Sequence, residues 1–575
     1  MAYAWRPAAL SLGIVVLVAC AGPAPAPARA PDAAAPAAAP VAPKLLTIGI
    51  SGAIPGLALT ASTTPTGGGF RLSEIHSDGL VTADVNTRRP VGRLAERAPS
   101  IDDGSIALLP DGRMRVTFPL RKGVTWHDGA PFTAQDLVFS FQVAGPDGVP
   151  NPLAATMKLM DSVEAPDDHT FVVYYKRPFY QGAELGTPEF WPLPRHILQP
   201  AYDRFVATKN ADEVLQLRYW TSEYVHLGAF RLTRFDPGEG MSLEAYDRYF
   251  LGRPRIDSIR VRIFGDENTL TTNLLAGAAD MVPEFAVRGE AGAQLKMLWE
   301  QSGQATVHVR ESSLVHLQVQ YRPADQTELS NFDPRVRRAL IHALDREALS
   351  EAVNGRNPQL AAWSFFPDSE RLYDVVKDGF RQFNYDPDRA RAMLRDADWT
   401  PGGDGNLRHS SDGRAYRTHI WGPDERVSAF AGYWRALGIQ VDELILSPTQ
   451  TLDREFRARF PGWDSTGTDI LEILGSTPAT AETRWLGSRN GYDDARARSL
   501  VNAFETTIDE REQAQTLRQI HELYLTQLPS LPIYYNAIYI GHAKHVKAFD
   551  DLGGGGSFDP YGSHYRNSHL WDIQQ

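Results

Sequence analysis

Short strand-like runs recur along the chain from residue 44 onward, and helical segments separate them. Several of the runs alternate apolar and polar residues, which is typical of strands with one covered face. They span residues 44–50, 114–120, 170–175, 241–246, 258–264, 314–321 and 439–446. Because strands and helices interleave throughout, the sequence predicts a mixed α/β fold.

Four helix starts carry clear capping signals. The N-cap candidates are Thr133, Asp333, Asp386 and Asp509. In two of them proline follows directly, at the first helical position. Proline is suited to this position because a backbone N–H there would have no hydrogen-bond partner within the helix. Apolar residues recur at helical spacing after each start, and Pro529 ends the last of these helices.

Length and composition limit the possible classes of protein. The 575 residues exceed what one hydrophobic core usually serves, so two or three lobes are expected. With 43% hydrophobic and 22% charged residues, most of the chain is predicted to be globular rather than disordered. A formal net charge of −12 without a long basic run argues against nucleic acid as a partner. The single cysteine, Cys20, excludes an internal disulfide and a multi-cysteine metal site.

The N-terminus has the pattern of an export signal. Arg6 precedes an apolar run at residues 8–19, which is shorter than the ~20 residues that span a bilayer. The run suits the core of a signal peptide covering residues 1–19. It ends in Leu-Val-Ala before Cys20, which resembles the bacterial lipobox, where the signal is cut before the cysteine and the thiol is acylated. The alternative is an ordinary signal peptide that happens to contain a cysteine.

A tether is predicted behind the lipidated cysteine, over residues 20–43. After Cys20 this segment is almost wholly alanine and proline, so it cannot bury a core and favours an extended polyproline conformation. At about 3.1 Å per residue it could reach roughly 70 Å and hold a globular body away from a membrane. The alternative is a disordered spacer of no set length.

Signatures of catalysis are mostly absent from the sequence. The chain has no G-x-x-x-x-G-K-[ST] phosphate loop and no G-x-S-x-G nucleophile elbow. His521-Glu522 begins like a zinc-protease motif, but Leu525 stands where the second histidine is required. His542 and His545 could ligate a metal, although surface histidines are the favoured interpretation. We therefore expect no enzyme activity, no metal and no cofactor.

One stretch of the sequence resembles the signature of a known family. Residues 120–140, LRKGVTWHDGAPFTAQDLVFS, resemble the family 5 extracellular solute-binding proteins, which are the oligopeptide-, dipeptide- and nickel-binding components of ABC importers. Further segments match the family's pattern in the same order. They span residues 194–198, 226–254, 269–280, 333–346, 385–399, 437–439, 491–492, 509–511 and 528–534. The resemblance thus covers residues 44–549.

The resemblance implies a periplasmic-binding-protein-like fold of two lobes joined by a hinge, with an extra inserted domain. Domain I would combine residues 44–80, 224–311 and 529–575, domain II would be residues 81–223, and domain III residues 312–528. A peptide or peptide-like solute would be enclosed between the lobes and delivered to the permease subunits of an ABC importer. The protein would be a monomer, exported to the outer face of the cytoplasmic membrane or the periplasm and attached to the membrane through its N-terminal lipid only.

Two other functions stay open at this point. The same binding fold could act as a receptor or a chaperone without transport. A secreted hydrolase is less favoured, because no set of nucleophile, base and orienting residue is recognisable.

The predicted ligand loop departs from the family pattern. Peptide-binding members tend to carry an Asp three residues after a Trp, where it pairs with the amino terminus of the ligand. Here Trp463 is followed by Asp464 and Asp469, one and six positions on. Trp463 offers a flat apolar surface and either acid could pair with a buried cationic group, so these three are the predicted ligand-binding residues. The alternative is that Trp463 packs in the core and both acids are solvated.

Replacing Cys20 by serine tests the predicted anchor. Because acylation requires the thiol, Cys20→Ser is expected to move the protein from the membrane fraction to the soluble exported fraction. Cell fractionation followed by immunoblotting measures this distribution. A variant that stays as firmly membrane-bound as the natural sequence would place the anchor elsewhere.

Overall fold

The computed structural model describes residues 42–57, 68–69, 72–84, 87, 89–149, 156–187, 189–368, 370–547 and 564–574. The predicted signal peptide, the lipidation site Cys20 and almost all of the tether lie outside these residues. Among the described helices, none combines the length and the apolar character that crossing a bilayer requires.

The strand-like runs of the sequence are confirmed, with small shifts at their ends. The strands are β1 Leu45–Ile50, β2 Val81–Ala83, β3 Pro90–Gly92, β4 Ile106–Leu108, β5 Met114–Pro119, β6 Met160–Asp167, β7 Thr170–Tyr175, β8 Phe230–Asp236, β9 Gly240–Ala245, β10 Ser258–Ile263, β11 Met281–Val282, β12 Ala305–Val319, β13 Trp399–Pro401, β14 Leu407–His409, β15 Arg417–Gly422, β16 Gln440–Ile445, β17 Trp463–Thr466, β18 Ser530–Ala543, β19 Val546–Lys547 and β20 Asp572–Ile573. The largest difference is at β12, which begins at residue 305 rather than 314.

The predicted helix starts are confirmed as well. The helices are α1 Ser73–His76, α2 Ala134–Ala144, α3 Arg195–Thr208, α4 Asp212–Leu215, α5 Glu267–Leu275, α6 Gly289–Gln301, α7 Pro334–His342, α8 Arg346–Val353, α9 Tyr373–Val376, α10 Pro387–Asp396, α11 Arg426–Arg435, α12 Pro448–Leu452, α13 Arg454–Ala458, α14 Ile470–Gly475, α15 Ala495–Thr506 and α16 Glu510–Gln527. Thr133 forms a capping box with Asp136, and the side chains of Asp333, Asp386 and Asp509 accept hydrogen bonds from the first backbone N–H groups of α7, α10 and α16.

Ten of the described strands form one mixed sheet. Their order is β16–β15–β17–β12–β18–β11–β1–β10–β9–β8. β1 pairs parallel with β10, and β15 pairs parallel with β16 and β17, whereas β12 pairs antiparallel with both β17 and β18. A separate antiparallel sheet has the order β4–β5–β7–β6. The fold class is therefore mixed α/β, as predicted.

Buried apolar side chains form three clusters, which define three lobes. Lobe I is built on β1 and β8–β11, lobe II on β4–β7, and lobe III on β15–β17 with the helices that cover them. Leu198 and Trp220 lie within the range predicted for domain II, but they pack in the core of lobe I. Part of α2 packs there as well, through Phe139 and Val143, so the core of lobe I includes several segments of the range predicted for domain II.

The family signature stretch is part of the framework that joins lobes I and II. Trp126 is fully buried in the core of lobe II, and its carbonyl oxygen accepts a hydrogen bond of 2.8 Å from the hydroxyl of Tyr246, which follows β9. Asp136 caps α2 and also accepts a hydrogen bond of 3.1 Å from the backbone N–H of Arg195 at the start of α3. These contacts give the stretch an architectural role.

Strands β12 and β18 connect lobe I with lobe III. Val307 of β12 and Tyr539 of β18 pack in the core of lobe I, whereas Leu317 and Leu531 of the same two strands pack in the core of lobe III. Between these pairs the register of the ladder shifts after Glu311, so an irregularity interrupts the hydrogen bonds where the strands pass from one core to the other. A hinge needs only a few residues that absorb a backbone rotation. We therefore locate the hinge at residues 311–314 of β12 and the facing residues 535–537 of β18.

Candidate functional site

The candidate site is centred on β17 and the loop that follows it, next to the hinge. β17 pairs antiparallel with β12, and Thr466 at its end lies opposite His316. Because β12 enters the core of lobe III at residue 314, this end of β17 is the one nearer to the hinge. The loop of residues 467–469, which ends in Asp469, therefore leaves the sheet close to the boundary between the lobes.

Trp463, the first predicted ligand residue, lies inside lobe III. Its side chain has no solvent exposure, and its ring packs edge-on against that of Trp434 at a centroid distance of 5.1 Å. In this conformation the indole presents no surface to the space between the lobes. Its ligand role stays a prediction, and any such role would have to act through the packing of β17.

Asp464, the second predicted residue, is fully buried and already bonded to protein groups. Its carboxylate accepts hydrogen bonds of 2.9 Å from Arg457 and 2.9 Å from Arg489, and one of 2.8 Å from the side-chain amide of Gln318. A buried carboxylate requires such partners, because desolvation of an isolated charge is very costly. A ligand cation could reach Asp464 only by displacing one of these donors.

A pocket of about 200 Å³ lies beside the buried ion network. It is lined by Thr451, Arg454, Arg457, Thr468, Glu472, Ile473, Trp485, Leu486, Gly487, Ser488 and Arg489. Arg489 keeps 29% of its side-chain surface exposed while it is bonded to Asp464. Burial lowers the pKa of the Arg489 guanidinium and raises the pKa of the Glu472 carboxyl. The pocket thus holds groups of both charges in a partly desolvated place, where electrostatic interactions are stronger than in water.

His316 fixes the loop between β17 and α14. Its imidazole is fully buried, and Nε2 donates a hydrogen bond of 2.8 Å to the carbonyl oxygen of Thr468, which determines the tautomer. Burial lowers the pKa of His316 to about 4, so the ring is neutral at pH 7. This histidine could not be found from the sequence, since nothing near it in the chain marks the loop that it holds.

Asp469, the third predicted residue, stands at the lobe boundary. It is the N-cap of α14, where its carboxylate accepts a hydrogen bond of 2.6 Å from the backbone N–H of Leu471. Part of the Asp469 surface is accessible to solvent, while the protein groups around its carboxyl desolvate it and so raise its pKa. Both properties fit a group that lines a cleft.

Lobe II approaches lobe III beside Asp469. The backbone N–H of Tyr180 donates a hydrogen bond of 2.9 Å to the carbonyl oxygen of Glu505, and the ring of Tyr180 lies 5.3 Å from that of Phe504. Arg177 forms an ion pair of 3.0 Å with Glu505 and a hydrogen bond of 2.7 Å with the side chain of Asn502. The two lobes are therefore in contact beside Asp469.

Tyr180 experiences an acidic environment at this contact. Burial is the main cause that raises the pKa of its hydroxyl, followed by the negative charges of Glu370, Glu184 and Asp469. Acids from lobes II and III thus act on one tyrosine between them. Such a place attracts a cationic group.

Charged groups also flank the hinge. Burial raises the pKa of Glu311 to about 7, and its carboxylate accepts a hydrogen bond of 2.8 Å from the backbone N–H of Asp368. Arg426 forms an ion pair of 2.6 Å with Asp424 and reaches the hydroxyl of Tyr534 at 3.4 Å. The segments that connect the lobes therefore carry polar groups that a bound solute could contact.

The two histidines considered as metal ligands have different surroundings. His542 is 4% exposed within β18, so the surface interpretation is wrong for it, because β18 runs through the middle of the sheet. His545 is half-exposed and forms an ion pair of 3.1 Å with Asp280. Among the described residues, no group of three or more histidine, cysteine or acidic side chains could hold a metal ion.

Comparisons with known proteins show what this chain is similar to. The family model described as bacterial extracellular solute-binding proteins, family 5 Middle, matches residues 90–481. The oligopeptide-binding protein AppA of Bacillus subtilis (strain 168) is 24% identical over 459 residues, which cover 76% of this chain and 78% of that protein. The dipeptide-binding protein of Escherichia coli (strain K12) is 22% identical over 509 residues, which cover 84% and 87%.

A solved structure has the same fold. The oligopeptide-binding protein AppA from Bacillus subtilis in complex with a nonapeptide superposes with a TM-score of 0.63 at 20% sequence identity. The superposition covers 93% of this chain and 100% of that one. The lobes and the hinge described above therefore belong to a fold that is known in a binding protein.

Neutralising Asp464 tests its structural role. Asp464→Asn removes the buried charge that Arg457 and the partly exposed Arg489 share, so we expect a loss of about 3–5 kcal/mol in the free energy of unfolding. Chemical denaturation measures this loss. Asp442→Asn is the matched control, because Asp442 pairs with Arg417 at the surface, where both side chains are more than 40% exposed and the pair contributes at most about 1 kcal/mol. Equal effects of the two substitutions would contradict the account of the buried network.

Proposed function

Because the chain belongs to the bacterial extracellular solute-binding proteins of family 5, we propose that it captures a peptide or peptide-like solute between its lobes and delivers it to the permease subunits of an ABC importer. The observation that carries this proposal is the connection of lobes I and III by β12 and β18, with a charged space beside the hinge. Concave sites at domain interfaces are where small ligands usually bind, and hinge closure encloses them.

The charges at the site support a ligand with both a cationic and an anionic group. Asp469 offers a negative charge at the lobe boundary, and Arg489 offers a positive charge in the neighbouring pocket. A free peptide carries an ammonium at one end and a carboxylate at the other. The names of two relatives, an oligopeptide-binding and a dipeptide-binding protein, support the same ligand class.

The three predicted ligand residues take different parts in this proposal. Asp469 pairs with the cationic group of the solute. Asp464 holds Arg489 in place, because the guanidinium lies between that carboxylate and the pocket. Trp463 packs against Trp434 and thereby supports β17, the strand from which the loop continues. Only Asp469 is thus expected to touch the solute directly.

The cellular setting of the proposal depends on the N-terminus. A lipid on Cys20 would hold the protein at the outer face of the membrane, and the Ala/Pro tether would let the body reach the permease. One acyl chain binds a membrane only marginally, so stable anchoring requires more than one chain on the cysteine and its amino group. Binding and delivery are thereby confined to the same membrane surface.

The proposed recognition of a cationic group is tested on Asp469. Native mass spectrometry of freshly purified protein identifies a retained solute, and calorimetric titration then compares the natural sequence with Asp469→Asn. Asparagine caps a helix as well as aspartate does, so α14 keeps its start while the charge is lost. We expect binding to weaken by about 2–5 kcal/mol.

Asp494→Asn is the matched control for this experiment. Asp494 is the N-cap of α15 in the same lobe, and its substitution also removes one negative charge. The control is expected to bind the solute as the natural sequence does. Equal affinities of both variants would contradict a role for Asp469 in ligand recognition, and absence of any retained or titratable peptide would contradict the proposed ligand class.

A further inference from the structure

A second concave region lies on lobe III, and it shares no lining residue with the pocket beside β17. This groove runs between α7, α10, α16 and the 3₁₀ turn Gly379–Phe383, and its volume is about 860 Å³. Small-molecule sites generally have volumes of about 300–1,000 Å³. Its walls carry three arginines, Arg338 on α7, Arg389 on α10 and Arg518 on α16.

The groove is positively charged on a protein that is acidic as a whole. Glu522 is the one acid that lines it, so three arginines leave an excess of two positive charges, against a formal net charge of −12 for the chain. His342 and His521 add none at pH 7, because burial lowers the pKa of both, that of His521 to about 4. An anion is therefore attracted to this face of the molecule.

Two of the three arginines have spare hydrogen-bonding capacity. Within the part of the chain that the structure describes, the guanidinium groups of Arg389 and Arg518 form no hydrogen bond or ion pair with protein, and both side chains are exposed. Their neighbour on α10, Arg391, pairs instead with Asp388 at 2.8 Å. Arg338 donates one hydrogen bond of 3.1 Å to the carbonyl oxygen of Thr526 and keeps its other donors.

The floor of the groove is held by contacts with the core of lobe III. His342 is 1% exposed, and its Nδ1 donates a hydrogen bond of 2.7 Å to the carbonyl oxygen of Asn384. The ring of His521 packs at 5.4 Å from that of Phe365 and lies over Gly379, where any larger residue would collide with it. These contacts position the floor between the helices that present the arginines.

We propose that this groove is a second binding site, which holds a phosphate ester through Arg338, Arg389 and Arg518. A carboxylate needs only one guanidinium, which binds its two oxygens in a bidentate pair. Three guanidinium groups that line one groove instead match a phosphate, which has more oxygens and up to two negative charges. The groove is larger than a phosphate alone requires. Phe383, Met393 and Leu525 line the remainder and suit the organic part of an ester.

Two probes distinguish the sources of such a phosphate, and both use the full chain. Calorimetric titration with glycerol 3-phosphate tests a soluble ester, and co-sedimentation with phosphatidylglycerol vesicles, against phosphatidylcholine vesicles, tests a lipid headgroup. Arg389→Gln and Arg518→Gln are each expected to weaken binding about tenfold, because each removes charge-assisted hydrogen bonds. Raising the ionic strength is expected to weaken it further.

Arg496→Gln is the matched control. Arg496 lies on α15 of the same lobe, is exposed, and has no side-chain partner among the described residues, so its loss changes the net charge equally without touching the groove. Thermal unfolding verifies that all three variants fold. The proposal is supported if either probe binds and if Arg389→Gln and Arg518→Gln weaken that binding while Arg496→Gln does not. Failure of both probes to bind, or equal weakening by Arg496→Gln, overturns it.

Discussion

The antiparallel pairing of β12 with β18 is the interaction on which the rest of the structure depends. These strands, of 15 and 14 residues, run side by side through the cores of two lobes and form the described chain connections between lobes I and III. Because both strands are continuous through both cores, they join the two lobes covalently at neighbouring places, and the ladder keeps these connections side by side. The ladder is irregular after Glu311 and again after Val315, close to the point where the strands pass from one core to the other. A hinge between lobes requires only such a place, because a few residues there can absorb a backbone rotation.

The site beside the hinge depends in turn on one buried carboxylate. Asp464 holds Arg457 and Arg489 together, and the loop that begins after β17 leaves the sheet directly above them. The protein thereby places a positive charge in the pocket without leaving a guanidinium unpaired. Asp469 supplies the opposite charge from the cap of α14. Charges of both signs are thus held in place by protein contacts, and a preformed arrangement of this kind lowers the reorganisation that binding would require.

Much of the fold could be predicted from the sequence, because its signals are local. Asp333 and Asp386, each followed by proline, mark helix starts within a few residues. Core packing of Trp463 was one of the two alternatives that the sequence left open. The partners of Asp464 could not be predicted, since β17 has only four residues and Arg489 is 25 positions away in the chain. The first part of β12 was missed for a related reason. It crosses between two cores and is only half-buried there, so it lacks the apolar pattern of a covered strand.

Small-angle X-ray scattering of the protein with and without its retained solute tests whether the lobes close about β12 and β18. Lobes II and III are in contact in this structure, as between Tyr180 and Glu505. We expect a smaller radius of gyration for the solute-bound protein than for the emptied protein, because closure about the hinge brings the lobes together. Identical profiles for the emptied protein and for protein that calorimetry shows to be saturated would contradict it.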